Sequence, residues 1–253
     1  MNKKSIHLLI GALVFAAGVT GVILTRGAAV AEDAKTGSQV LFALSIIGVL
    51  LGIVIAVTAF VKPHRAPDVK VLTMTAMMAA LCFVAFTFFR IDIYLPGSVD
   101  KTAFHLGNTF VVLAALLLGG IWGGLAGAIG LTIADFLSGY ATYAPTTFLL
   151  KLCIGLITGL VAHRIFKIEK ETVKSKIVWK TAISAAAGML FNVIADPLVG
   201  YLYKRFLFGM HPDLAAALAK ISTLTTGVNA AIAIVGASIF YIALRPAVRR
   251  LLK

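Results

Sequence analysis

The sequence predicts an all-α integral membrane protein with about eight transmembrane helices, on the basis of its composition and its apolar runs. Of the 253 residues, 60% are hydrophobic and 13% are charged, and the mean hydropathy is +0.99. A soluble domain would carry about 25% charged residues, so the composition indicates a chain that lies largely in lipid. Apolar runs of about 20 residues, the length that a helix needs to cross a bilayer, recur along the chain.

Eight such runs cover most of the chain, and we interpret each as one helix. The first two would form a helical hairpin at residues 1–62, and the other six would form the main body at residues 63–253. The predicted helices are residues 8–25, 40–61, 71–89, 106–118, 121–137, 148–166, 181–203 and 221–244.

The first run has a second interpretation, as the core of a secretory signal peptide. Ala29-Val30-Ala31 has the small residues of a cleavage site. The run is long for a signal core, however, and Arg26 separates it from that site. A retained helix is therefore the favoured interpretation.

The segments between the runs predict the connections. Residues 62–70 carry two prolines and four basic residues, as expected of a linker between the hairpin and the main body. Residues 93–104 carry Pro96-Gly97, are too short for a domain, and could fold over whatever lies beneath them. Residues 204–220 are expected to form a long outer loop, and Asp196-Pro197 is a candidate break in the seventh helix.

Lysine and arginine are unevenly distributed between the two sides of the predicted bundle. With both termini in the cytoplasm, 15 of them lie on the cytoplasmic side and seven on the outer side, and Lys151 lies in the membrane. Because cytoplasmic loops carry an excess of these residues, we expect both termini in the cytoplasm. The loops also explain the net charge of +13, and no basic stretch interleaved with aromatics indicates a nucleic-acid partner.

No sequence motif indicates an enzyme, a cofactor or a metal. The chain contains no phosphate-binding GK[ST] loop, no GxSxG and no HExxH. Cys82 and Cys153 lie inside apolar runs without a CxxC or a histidine partner, and we expect them to be packing residues. We therefore expect a chain that is not an enzyme and that holds neither a cofactor nor a metal.

Residues 105–151 combine close helix packing with charge at membrane depth. Gly120 and Gly124 form one of several small-xxx-small pairs, which let two helices approach closely in a bilayer. Asp135 ends one apolar run and Lys151 begins the next, and an ionisable side chain in a membrane usually marks a functional site. Both side chains could instead extend to the nearby interface and have no further role.

Ten polar side chains fall in the outer half of the predicted bundle, on five or six helices. We expect them to converge on one cavity, because buried amides and carboxylates need partners. The alternative is a set of separate helix-to-helix hydrogen bonds. The candidate substrate-binding residues are Arg90, His105, Asn108, Asp135, Tyr140, Tyr143, Lys151, Asn192, Asp196 and Asn229.

The stretch at residues 105–151 resembles a known family, in the sequence HLGNTFVVLAALLLGGIWGGLAGAIGLTIADFLSGYATYAPTTFLLK. It is similar to the riboflavin-transporter-like branch of the substrate-binding S components of bacterial energy-coupling factor (ECF) vitamin transporters. The resemblance extends over the last six predicted helices. A less specific feature is the small-residue motif at Ala76 and Ala80, on the helix with which family members dock on the T component.

The resemblance implies a six-helix core, a substrate site near the outer face and a first loop that acts as a lid. It also implies a subunit in the bacterial plasma membrane that captures a small vitamin or precursor for uptake. The energy would come from two cytoplasmic ATPases that act through the T component. The hairpin at residues 1–62 departs from the family pattern, and we expect it to be dispensable for ligand binding because it carries no buried charge.

The candidate residues also predict the chemistry of the ligand. Amides read ring nitrogens or hydroxyls, tyrosines stack on rings, and the lack of several arginines argues against a polyanion. We therefore expect a compact neutral or zwitterionic vitamin or precursor, such as a pyridoxine-like or pyrimidine compound, with riboflavin next. Lys151 either contacts this ligand or pairs with Asp135, and the sequence leaves both open.

Two other classes of function compete with this interpretation. A self-sufficient proton-coupled carrier would use Asp135, Asp196 or Lys151 as a proton relay, although the chain has no evident internal repeat. A membrane enzyme acting on lipid would use Asp135 and His105 as acid–base groups, but no nucleophile or metal set accompanies them. The transport subunit is therefore the predicted function.

Overall fold

The computed structural model describes residues 3–30, 36–61, 66–94 and 101–251, and these residues are predominantly helical. Ala31 of the candidate cleavage site, residues 62–65 of the predicted linker and the Pro96-Gly97 pair lie outside these ranges. In the described ranges there are eight α-helices: α1 Lys3–Val30, α2 Thr36–Thr58, α3 Val69–Thr87, α4 Gly107–Leu118, α5 Gly120–Leu137, α6 Ala144–Gly159, α7 Lys174–Leu202 and α8 Pro212–Leu251.

Among the described helices, seven are long and apolar enough to cross a membrane, which confirms the predicted all-α membrane fold. The exception is α4, whose 12 residues extend about 18 Å, less than the ~30 Å of a bilayer core. Eleven of these residues are buried, and α4 contacts α3, α5, α6, α7 and α8. α4 is therefore the central helix of the bundle, and it is apolar because it is surrounded by protein.

Glycines bring α5 close to both α4 and α6. Gly119, with φ of 94°, ends α4 and lets the chain reverse into α5. A Cβ atom at Gly123 would collide with the backbone of Ala115 in α4, and one at Gly155 in α6 would collide with Gly124. The small-residue spacing in α5 thus corresponds to the close helix approach that it predicted.

A two-stranded antiparallel sheet covers one end of the bundle, between α3 and α4. Strand β1 is Arg90–Tyr94 and strand β2 is Lys101–His105, with Arg90 opposite His105. The strands replace the loop predicted at residues 93–104, and the alternation of Arg-Ile-Asp-Ile-Tyr is typical of a strand with one buried face. We refer to β1 and β2 together as the cap.

The last two helices are longer than predicted. α8 begins at Pro212 and α7 ends at Leu202, so the long outer loop predicted at residues 204–220 is wrong. Pro212 and Asp213 are residues that favour the first turn of a helix, and they start α8 before its apolar run begins. The predicted break at Asp196-Pro197 is also wrong, because α7 continues through Pro197. A π-helical turn, Tyr203–Leu207, follows α7.

The hairpin of α1 and α2 packs on one flank of the other six helices. Its two helices approach closely, since a Cβ at Gly11 would lie 2.7 Å from the backbone nitrogen of Ala56. The hairpin contacts α6 and the turn Tyr203–Leu207. By contrast, α3 packs on α4 and α5, and Ala76 and Ala80 are exposed on its outward face.

Candidate functional site

A cavity of about 120 Å³ lies beneath the cap, where the amino ends of α4, α6 and α8 meet the carboxyl ends of α5 and α7. Nine of the ten candidate site residues line it. They are His105, Asn108, Asp135, Tyr140, Tyr143, Lys151, Asn192, Asp196 and Asn229. The structure therefore brings together side chains that lie far apart in the sequence, and it favours the cavity over separate helix-to-helix contacts.

Arg90, the tenth candidate, lies behind the cavity wall. Its Nε donates to Asp92 at 2.9 Å, and its guanidinium lies 6.0 Å from the ring centre of Tyr140. Asp92 also accepts from Lys101 at 2.9 Å and from the Tyr140 hydroxyl at 3.3 Å. Lys101 in addition donates to the carbonyl of Ser138. This network fastens the cap to the segment between α5 and α6.

Asp135 and Asn108 present unpaired acceptors to the cavity. Asp135 is 4% exposed and Asn108 is 1% exposed. Asp135 Oδ2 and Asn108 Oδ1 are buried without a hydrogen-bond partner. Because leaving a buried acceptor unsatisfied is costly, these two oxygens are suited to bind donor groups of a ligand.

Lys151, 6% exposed, donates to Asn192 Oδ1 at 3.2 Å. This contact joins α6 to α7. Among the described residues no direct ion pair links Lys151 to Asp135, although the ammonium is close enough to attract that carboxylate. A neutral amide oxygen does not balance a buried charge. The Lys151 ammonium is therefore available to an acceptor group on a ligand.

Asn229 and Asp196 use their side chains within the protein. Asn229 Nδ2 donates to the carbonyl of Ala103 at 2.9 Å, and its Oδ1 accepts from the His105 backbone N–H at 3.0 Å. Asp196 accepts from the Thr226 hydroxyl at 3.2 Å. Asn229 thus holds strand β2 over the cavity, which differs from the ring-reading role expected of an amide at this position.

The aromatic side chains around the cavity come from the end of α3, strand β2, the turn before α6 and the π-helical turn after α7. The rings of Tyr143 and Tyr203 stack with centres 5.5 Å apart. The His105 ring lies 4.7 Å from that of Phe86, and its Nδ1 accepts from the Gly107 N–H at 3.1 Å. His105 therefore helps to form the junction between the cap and α4.

Sequence reasoning missed two lysines that line the cavity, Lys101 and Lys204. Both were counted as loop charges, because each lies outside the apolar run of the neighbouring helix. Lys204 is 4% exposed, and its Nζ lies 5.5 Å from the ring centre of Tyr143. Lys204 directly follows Tyr203, and its side chain lies beside Gly200, four residues earlier. This position at the end of the seventh apolar run is the signal that could have identified it.

Within the described ranges, no group of three His, Cys, Asp or Glu residues is placed to hold a metal ion. Cys82 and Cys153 are free and buried, in agreement with the packing role expected from the sequence. The cavity chemistry consists of hydrogen bonding, charge and aromatic surface.

The fold and the cavity define a multi-pass membrane protein with a polar binding site closed by a cap at one end. The family model described as "ECF-type riboflavin transporter, S component" matches residues 67–246. The chain belongs to this family, and it is the membrane substrate-binding subunit of an ECF transporter. Neither the curated proteins nor the solved structures contain a significant match to the chain. The hairpin α1–α2 precedes the matched region.

Proposed function

We propose that this chain captures a small water-soluble vitamin or vitamin precursor at the outer face of a bacterial plasma membrane. Partner subunits, a T component and two cytoplasmic ATPases, then supply the energy for uptake. The observation that carries the proposal is the capped cavity, in which the acceptors of Asp135 and Asn108 and the donor of Lys151 are all buried. A ligand that satisfies all three gains hydrogen bonds that the empty site lacks.

The arrangement fits a compact ring compound that has donors on one edge and acceptors on another. Donors would face Asp135 and Asn108, acceptors would face Lys151, and the ring would lie against Tyr140 or Tyr143. Riboflavin, the compound that the family description names, offers donors and acceptors of this kind on a larger ring system. Pyridoxine-like and pyrimidine compounds are smaller ligands of the same chemical kind.

The proposed orientation places both termini in the cytoplasm and the cavity at the outer face. It is supported by the distribution of charge in the sequence, since 15 of the 23 lysine and arginine residues fall in the segments assigned to the cytoplasmic side. A substrate could then enter from outside when the cap moves. Residues 1–62 form a hairpin added to a six-helix core at residues 63–253.

The proposed docking surface for the T component is the outward face of α3. Ala76 and Ala80 are one turn apart and exposed, and the hairpin packs on a different flank. Small residues allow a partner helix to approach closely. The double substitution Ala76→Leu with Ala80→Leu should abolish complex formation and uptake while ligand binding by the isolated subunit stays within about twofold.

The test of the proposed function is titration of the detergent-purified chain with riboflavin, pyridoxine and an aminopyrimidine. We expect one of them to bind with a Kd at or below the micromolar range. Co-expression with a T component and ATPases should then give ATP-dependent uptake into vesicles. Uptake by the chain alone, driven by a proton gradient, would instead establish the proton-coupled carrier and refute the proposal.

A further inference from the structure

The π-helical turn Tyr203–Leu207 is shared between the ligand cavity and the N-terminal hairpin. In this turn the Phe208 N–H donates to the Tyr203 carbonyl at 2.9 Å, five residues back. Tyr203 stacks on Tyr143, and Lys204 lines the cavity. Phe206, two residues further on, lies against the hairpin instead. π-helical turns are rare in proteins and are frequently found at functional sites.

The contact with the hairpin is an aromatic pair. The rings of Phe42 in α2 and Phe206 have centres 4.7 Å apart, and Phe42 is fully buried. Both α1 and α2 contact the turn. Below it, an apolar groove lies between the hairpin and α7, lined by hairpin residues such as Leu50 and by Leu198 and Leu202 of α7. The hairpin thus adjoins the cavity wall at α6 and at this turn, and the turn is where its contact lies beside a cavity-lining lysine.

We propose that the N-terminal hairpin positions Lys204 in the ligand cavity by packing Phe42 against Phe206. This inference rests on the proposed function of the cavity as the ligand site. The backbone of the turn is closed locally, since the Met210 N–H donates to the Lys204 carbonyl at 3.0 Å. Its placement against α6 depends on side-chain packing, and Phe42, the hairpin's part of that packing, lies before the family's matched region, 67–246, which contains Phe206.

This assignment gives the hairpin a role in ligand affinity, in contrast to the dispensability expected from its sequence. Truncation of Phe42 removes the ring that holds Phe206, so the turn can move away from α6. The Lys204 ammonium then loses its fixed distance from Tyr143, and ordering it again on ligand binding costs free energy. Phe42 and Phe206 act as positioning residues, because neither lines the cavity.

The test compares Phe42→Ala with Leu50→Ala in the full chain. Leu50 is a suitable control because it is also buried in α2, at 3% exposure, but lines the apolar groove. Phe42→Ala should raise the Kd for riboflavin at least about fivefold, whereas Leu50→Ala should leave it within about twofold. Phe42→Leu, which retains bulk without the ring, serves as a milder variant if Phe42→Ala fails to give a monodisperse protein.

A second measurement does not need a ligand. Acetylation of Lys204 by an N-hydroxysuccinimide ester, followed by peptide mass spectrometry, should be slow in the intact chain and severalfold faster in Phe42→Ala. Equal labelling rates in the two proteins would overturn the inference. If riboflavin does not bind the intact chain, the ligand assignment fails, while the labelling comparison still decides whether the hairpin positions Lys204.

A double-mutant cycle distinguishes a loss of Lys204 positioning from a general loosening of the packing around the cavity. In a Lys204→Met background, Phe42→Ala should cause no further loss of riboflavin affinity, because the side chain that it positions is absent. A full additional loss in that background would show that the hairpin acts through some other group and would contradict the inference.

Discussion

The two ends of the bundle both contain charged side chains, but they differ in how these are paired. At the cavity end, Asp135 and Asn108 have unpaired acceptors, and Lys151 has a neutral amide as its partner. At the opposite end, Nη2 of Arg245 lies within hydrogen-bond distance of three backbone carbonyls of the segment between α6 and α7. Each end also shows the other pattern: Asp92 pairs with Arg90 and Lys101 in the cap, and Nε of Arg245 is buried without a hydrogen-bond partner. The unpaired acceptors that face the cavity are the ones that the proposed ligand would bind.

The opposite end repeats this pattern of internal pairing. The His163 ring contacts the carboxylate of Glu169 at 3.2 Å and the carbonyl of Ala115 in α4 at 3.1 Å. Lys180 donates to Glu171 at 2.6 Å. Polar groups that bind one another stabilise the fold, whereas polar groups that lack partners reduce stability until something binds them. The comparison therefore predicts opposite consequences for substitutions at the two ends.

The largest effect is expected at Asp135. Asp135→Ala should weaken ligand binding by about 3 kcal/mol, roughly 100-fold in Kd, because a ligand donor loses a charged acceptor. Thermal stability of the protein without ligand should change little, since the substitution removes both a buried oxygen without a partner, Oδ2, and the hydrogen bond that the carboxylate accepts from Thr147. Calorimetric titration and thermal unfolding in detergent measure the two quantities. A loss of stability with unchanged affinity would assign Asp135 to the fold and not to the site.

Arg245→Ala should have the reverse effects, a loss of stability with little change in ligand affinity. It leaves carbonyls of the segment between α6 and α7 without a donor, so we expect a loss of about 2–3 kcal/mol in unfolding free energy. Ligand affinity should remain within about twofold, because Arg245 lies at the far end of the bundle. Arg245→Lys, which retains the charge without the planar donor group, should recover part of the stability. Unfolding of the unchanged protein, Arg245→Lys and Arg245→Ala in a series of detergents checks this order of stability.

Substitution of the Lys151–Asn192 pair distinguishes a ligand contact from a helix-to-helix link. Asn192→Ala and Lys151→Met should each weaken ligand binding by about 1–3 kcal/mol, with little change in thermal stability. The two losses should not add in the double variant, since the side chains contact each other. Unchanged affinity in all three variants would place the ligand elsewhere.

Asn229→Ala should have a smaller effect, of about 1 kcal/mol on ligand affinity, by releasing strand β2. Because its amide holds the cap and does not face the ligand, the expected change is a faster dissociation rate with a nearly constant association rate. Stopped-flow binding separates the two rates. A slower association rate alone would assign Asn229 to the ligand's entry path.

The smallest effect concerns pH at the opposite end. The hydrogen bond from Lys180 lowers the pKa of Glu171 from 4.5 to about 2. A carboxylate with a lowered pKa stabilises the fold above its ordinary pKa, and this contribution is lost as the pH falls towards 2. Thermal unfolding between pH 5 and 2 should therefore show a smaller decrease in Glu171→Gln than in the unchanged protein, with ligand affinity at pH 7 unaffected.

Much of this architecture could be predicted from the sequence. Burial in lipid requires apolar side chains over a whole helix, so seven membrane-spanning helices and their order follow from the apolar runs. The spacing of Gly120 and Gly124 predicted the approach of α5 to α6. Nine of the ten candidate residues line the cavity, because polar side chains in apolar runs are costly and usually mark a site.

Only the tertiary structure decided how those polar groups are used. Hydrogen-bond partners depend on distances between helices, and a single apolar run carries no information on those distances. The hydrogen bond between Lys151 and Asn192 and those between Asn229 and strand β2 were therefore not predictable. A covering segment was expected at residues 93–104, but its strands were not, because the alternation in Arg90–Tyr94 is only five residues long and its pairing with Lys101–His105 is a tertiary contact. The position of Lys204 in the cavity wall and the contact of Phe206 with Phe42 both arise in a single π-helical turn, which no apolar run reveals.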